Sequence, residues 1–106
     1  MTERQRALAE ERMAFVERCF EKFGGAAQDI NQRNRQRLGQ RQTYLFSGSY
    51  YRVDVAEFDG EPFIIISCID DAKYAAAGVM EDVEALPLTL DDAELERAVQ
   101  RTIEGS

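Results

Sequence analysis

No histidine occurs anywhere in the 106-residue chain. That one absence removes Ser–His–Asp and Cys–His catalysis, imidazole metal sites and the ordinary neutral-pH general base. Cysteine is scarce: Cys19 and Cys68 stand far apart and outside any CxxC spacing. Both read as small core hydrophobes rather than as a disulfide or a reactive thiol. No apolar run approaches the roughly 18–20 residues that a membrane-spanning helix needs. The opening Met1-Thr2-Glu3-Arg4-Gln5-Arg6 mixes charges with no apolar stretch behind it, unlike a secretory signal, so a cytoplasmic location is expected. Neither GxxxxGK[ST] nor GxGxxG is present, and Ser47-Gly48-Ser49 reads as a turn rather than a phosphate loop.

What remains is enough for one domain spanning 1–106. A chain of this length buries about 60–70% of its unfolded surface, which supports a core without metals or cross-links. The net charge is −7, unevenly spread. Residues 1–23 carry five bases and five acids; residues 24–53 carry Arg33, Arg35, Arg37, Arg41 and Arg52 against Asp29 alone. From residue 54 onward fourteen acids face Lys73, Arg97 and Arg101, a local net of −11. Such a field repels nucleic acid and anionic membranes and steers basic partners.

The pattern predicts an α+β fold: an N-terminal amphipathic helix, an antiparallel β-meander of three to four strands, and a C-terminal helix packed on the sheet. Thr2 and Gln5 have capping-box spacing, Leu8, Phe15, Val16, Cys19, Phe20 and Phe23 form an apolar stripe, and Gly24-Gly25 closes the helix. The opposite face is all Glu, Arg and Gln and is expected to be wet. Ile30 and Leu38 share one helical face in an otherwise polar stretch, so residues 26–41 suit a helix capped by Gly39, with a loop as the alternative. Segments 43–46, 50–58 and 62–69 are rich in aromatic and β-branched residues, and Asp59-Gly60 is a two-residue hairpin signal. Tyr51, Val53 and Val55 mark the core face of the middle strand, whereas the third strand is apolar on both faces, as in an interior strand. Residues 71–77 suit a helix stopped by Gly78, while residues 79–86 suit an acidic edge strand ended by Pro87. Asp91 and Glu94 form a capping pair, Leu90 and Leu95 a hydrophobic staple, and Leu95, Ala98, Val99, Thr102 and Ile103 the stripe of the last helix.

The carboxylates Asp70-Asp71, Glu81-Asp82-Glu84 and Asp91-Asp92 are the remaining candidates for acid–base or oxygen-ligand chemistry, but adjacent acids diverge and no EF-hand spacing occurs. No cofactor or metal is implied. Tyr44, Tyr50 and Tyr51 with the arginines from Arg33 to Arg52 are the one feature that suits single-stranded nucleic acid, against the repulsion of the rest. Two surfaces suit a protein partner. One is the sheet around Tyr50, Arg52 and Phe58. The other, preferred, is the stretch in which Tyr74, Met80 and Leu86 alternate with Asp70, Asp71, Glu81, Asp82 and Glu84.

In size, acidity and architecture across its whole length the chain resembles the small immunity proteins that bacteria keep against contact-dependent and other polymorphic toxins. That resemblance implies a non-catalytic, cofactor-free inhibitor whose acidic residues occupy the basic cleft of a toxin domain. Asp70, Asp71, Tyr74, Met80, Glu81, Asp82 and Glu84 would carry the contact. The basic segment Arg33–Arg41 departs from a uniformly acidic picture. Two other classes are a homo-oligomeric accessory domain assembled through the first helix, and a small-ligand binder or carboxylate-based enzyme.

Overall fold

Local signals at both ends of the chain become helices where expected. The computed structural model describes residues 1–28 and 41–105. Helix α1 spans Glu3–Lys22, and Thr2 and Gln5 exchange the two hydrogen bonds of a capping box, at 3.1 and 2.9 Å. Gly24, at φ 96°, takes the left-handed turn that ends it. Two-residue turns with positive φ at Ser47-Gly48 and Asp59-Gly60 close two hairpins, a geometry whose twist matches the flanking strands.

Five strands form one antiparallel sheet in chain order: β1 (Ala26–Gln28), β2 (Thr43–Phe46), β3 (Ser49–Phe58), β4 (Glu61–Ile69) and β5 (Glu81–Pro87). The α+β meander expected from the sequence is therefore present, with one strand more than its upper count. The extra strand is β1. Ala26–Gln28, expected to open a helix, instead pairs with β2, Ala27 opposite Tyr44. The rest of that expected helix, with Arg33, Arg35 and Arg37, lies outside the described residues, except that Arg41 and Gln42 are not helical.

The alternatives for residues 71–86 resolve into both. A short helix α2 (Ala72–Ala77), capped by Asp71 and stopped by left-handed Gly78, leads into β5, which pairs with β4 alone among the described residues. Helix α3 (Asp92–Glu104) follows, its capping box closed by Asp91 and Glu94.

Helices α1 and α3 cover the sheet face that carries Tyr44, Tyr51, Val53, Ile64, Ile66 and Leu86. The deepest line of α1 is Ala9, Met13, Val16 and Phe20, with Cys19 beside it; Leu8, Phe15 and Phe23 sit at its flank, half-buried. The apolar stripe is thus centred about a residue away from the one read from the large side chains, because small Ala9 faces the sheet most squarely. Ile64, Ile65 and Ile66 are all buried, as expected for an interior strand.

Gly25 has a packing role. A β-carbon there would lie 2.8 Å from the Phe20 carbonyl oxygen, to which the Gly25 N–H already donates, and against the Phe46 ring. The ring can shift, but the carbonyl cannot without breaking the turn. Gly25→Ala is expected to destabilise the fold by about 1–3 kcal/mol, visible as a lowered midpoint in thermal unfolding. An unchanged midpoint would show that this turn yields.

Candidate functional site

The acidic face expected of α1 is not simply wet. Arg41 reaches back to Glu10 and to Glu17, the latter at 2.5 Å, while Gln42 N–H donates to Glu17 at 3.2 Å and the Tyr44 hydroxyl to Glu21 at 3.3 Å. This one member of the basic segment therefore neutralises helix acids rather than the acidic second half. Two further ion pairs, Arg12–Asp92 and Lys22–Glu96, both 2.6 Å, tie α1 to α3.

These contacts commit several carboxylates. Asp91 caps α3 by accepting from the Glu94 N–H at 2.8 Å, and Asp92 holds Arg12, so the pair performs no shared task. No group of three or more Cys, Asp or Glu side chains placed to hold a metal ion occurs among the described residues. Burial pushes the Cys19 thiol up to about 11, with Glu96 adding to the shift. Such a thiol stays protonated at neutral pH. Cys68 is also raised, first by burial and then by Asp70 and Glu81, while neighbouring Tyr51 and Ser49 pull the other way. The buried Tyr51 hydroxyl has no conventional hydrogen-bond partner among the described residues; the Cys68 thiol, a weak donor and acceptor, is the polar group beside it.

The sheet surface around Tyr50, Arg52 and Phe58 is not the open platform expected. Arg52 is buried, 7% exposed, its guanidinium donating to Asp54 at 2.9 Å, and Tyr50 is half-buried; Phe58 alone projects. An arginine on a sheet face lays its long stem along its neighbours and pairs its head locally, which closes the surface that alternation alone would leave open. Burial also raises the Asp54 carboxyl, an effect opposed by Arg52 and Arg41.

The preferred stretch has a different character. Asp70 is exposed where β4 ends. Asp71 is occupied as the cap of α2, accepting from the N–H groups of Lys73 at 2.8 Å and Tyr74 at 3.2 Å. Met80 is half-buried, and Glu81, Asp82 and Glu84 are exposed along β5. Asp82 accepts from the Ser67 hydroxyl at 2.9 Å, and Leu86 points into the core. Tyr74 is 55% exposed. Structure adds two residues that the sequence reading left out: Val79, 56% exposed, and Val83, 46% exposed.

Val83 is out in solvent for a reason. Ile66 faces Glu84 but Ser67 faces Asp82, so Val83 is the extra residue of a β-bulge. Val83 lies three residues from core-facing Leu86 and so on the opposite face of the strand, and the bulge keeps Asp82 on that outer side too, opposite Ser67. Of the five large hydrophobics that project from the described residues, Tyr74, Val79 and Val83 fall within this stretch and Met1 and Phe58 elsewhere. None of Asp70, Glu81 and Glu84 forms an ion pair with a described residue. Here, then, are apolar side chains exposed among acids that form no ion pair with a described residue, on and just before a bulged strand.

Among the described residues no helix is long and apolar enough to cross a membrane. Comparison with protein-family models, with curated proteins and with solved structures finds no match to this chain.

Proposed function

We propose that this chain is a non-catalytic protein-binding module, most concretely a cytoplasmic inhibitor of the immunity-protein kind that blocks a basic toxin domain, such as a nuclease, by acidic complementarity. The observation that supports it is the surface from Asp70 to Glu84, where Tyr74, Val79 and Val83 are exposed among carboxylates, of which Asp70, Glu81 and Glu84 form no ion pair with a described residue. Exposed apolar side chains cost free energy in a lone domain and are recovered in an interface. Unpaired acids around them select a basic partner and speed its approach. The alternative of a homo-oligomer built through α1 has less to work with, because the apolar stripe of that helix is spent on the domain's own core.

The test is a pull-down with the tagged chain from its native lysate across a salt series. A basic protein should be retained at low salt and released at least tenfold more readily near 1 M, where the Debye length falls to about 3 Å. Joint reversal of Asp70, Glu81, Asp82 and Glu84 to lysine should abolish capture. A partner whose retention ignores both salt and charge reversal would refute the electrostatic reading.

A further inference from the structure

Between the end of β4 and the start of β5 lies an open groove of about 280 Å³, lined by Ser49, Cys68, Ile69, Asp70, Glu81 and Val83. We infer that this groove docks a basic segment of a partner protein, seating one arginine or lysine side chain with its stem on Ile69 and Val83 and its charged head at Asp70 and Glu81. The inference rests on the binding function proposed above and names the contact that carries it.

The lining selects the occupant. Ile69 and Cys68 are half-buried and give the groove apolar walls, while exposed Asp70, just past the end of β4, and Glu81, at the start of β5, bring two negative charges to it. A purely apolar ligand would strip water from both carboxylates with no compensation, and an anion would be repelled. A cation on a flexible methylene stem satisfies both parts of the lining at once. Both carboxylates act on the same neighbour, the Cys68 thiol, whose pKa each of them raises. Asp70 and Glu81 both line the groove, one just past the end of β4 and the other at the start of β5.

Two other occupants fit less well. A second copy of this chain added edge to edge would set Glu81, Asp82 and Glu84 against the same acids, and like charges directly opposite destabilise a strand pair. Strand addition by any partner is further hindered by the bulge at Val83 and by Pro87, which lacks a backbone donor. The surface is thus offered by side chains rather than by an open ladder. The depression on α1 between Arg12, Phe15 and Arg18 mixes both signs of charge, with Glu11 in its lining and Arg12 already paired with Asp92.

The experiment is an NMR titration of the isotopically labelled full chain with an eight-residue peptide of alternating arginine and serine. A citrulline counterpart, neutral and of the same shape, runs in parallel. Amide shifts should concentrate at Ser49, Cys68–Asp70 and Glu81–Val83 and be absent with citrulline. Glu81→Gln and Val83→Ser should each weaken the arginine peptide about fivefold, whereas Glu61→Gln, an exposed acid at the far end of β4, should not. Both substituted positions are exposed, and an unchanged thermal midpoint establishes that each variant folds. Shifts centred on other acids, or equal binding of citrulline, would overturn the groove. A captured protein whose footprint lies elsewhere would leave the binding function standing and remove only this inference; specific seating of the peptide with no protein captured would do the opposite.

Discussion

Phe20→Ala is expected to lower the free energy of unfolding by about 3–5 kcal/mol, read from urea denaturation at neutral pH. Phe20 is fully buried in α1, and its ring lies 5.3 Å from Tyr44, 6.0 Å from Phe46 and 6.1 Å from Tyr51, centroid to centroid. It is the point where the helix meets β2 and β3 together. Deleting it forfeits the transfer free energy of the ring and leaves a cavity that three aromatic neighbours cannot collapse into, because Tyr44 and Phe46 are held in β2 and Tyr51 in β3. A domain of this size has about 5–15 kcal/mol in total, so the variant should be close to half unfolded under mild denaturant. Phe15→Ala is the control. Phe15 is only half-buried at the flank of the same helix, and its truncation should cost about 1 kcal/mol. Equal losses at the two positions would mean that α1 is docked in another rotation.

Raising the pH should unfold the protein well before its arginines titrate. Cys19 is held at about 11, against 9.0 for an ordinary thiol, and Tyr44 and Tyr51 are both raised above their usual 10.0. Burial is the first cause in all three; Glu17 and Glu21 add to it at Tyr44, and Cys68 at Tyr51. A thiol or phenol is charged when deprotonated, so the folded chain keeps these protons where the unfolded chain has released them. Unfolding then releases protons, and rising pH favours it. For Cys19 the stability is intact below about pH 9 and is lost between there and about pH 11, roughly 2–3 kcal/mol at about 1.4 kcal/mol per pH unit. The tyrosines extend the decline from pH 10 upward. Urea midpoints at pH 7, 9, 10 and 11 should therefore fall steadily. Cys19→Ala should be less stable than the parent at pH 7 and lose that deficit by pH 11. A midpoint independent of pH across this range would contradict the burial of these three groups.

Much of the fold was legible because its signals are local. A capping box is written in residues three apart, and Thr2-Gln5 and Asp91-Glu94 both form as spaced. Asp59-Gly60 makes a hairpin wherever flanked by strand formers. The run of Ile64, Ile65 and Ile66 has to be interior whatever lies on either side. The candidate surface was legible in outline for the same reason: acids cannot be buried unpaired, so the dense acidic stretch had to be surface. The cap at Asp71 and the stop at Gly78 were likewise written in neighbouring residues.

What escaped the sequence depends on contacts between distant residues. Ala26-Ala27-Gln28 has no strand propensity and is a strand only because β2 offers it a free ladder edge. Glu10 and Glu17 look like solvent positions until Arg41 is brought back across the helix. Arg52 looks exposed by alternation and is 7% exposed, its head paired with Asp54 two residues along the same strand. Asp82 would share the face of Leu86 by alternation and is carried to the side of Ser67 by a one-residue mismatch with β4.

By itself, then, the chain determined an α+β fold without imidazole chemistry, its two long helices, its hairpins, and an acid-rich surface ahead of the last helix. Those follow from composition and from interactions that span a few residues. Tertiary structure alone decided the fifth strand, the centre line of α1, the internal neutralisation of Arg41 and the pairing of β4 with β5 that brings Val83, Asp70 and Glu81 to one groove. Register and burial are properties of pairs far apart in the chain, and each partner's sequence is compatible with several of them.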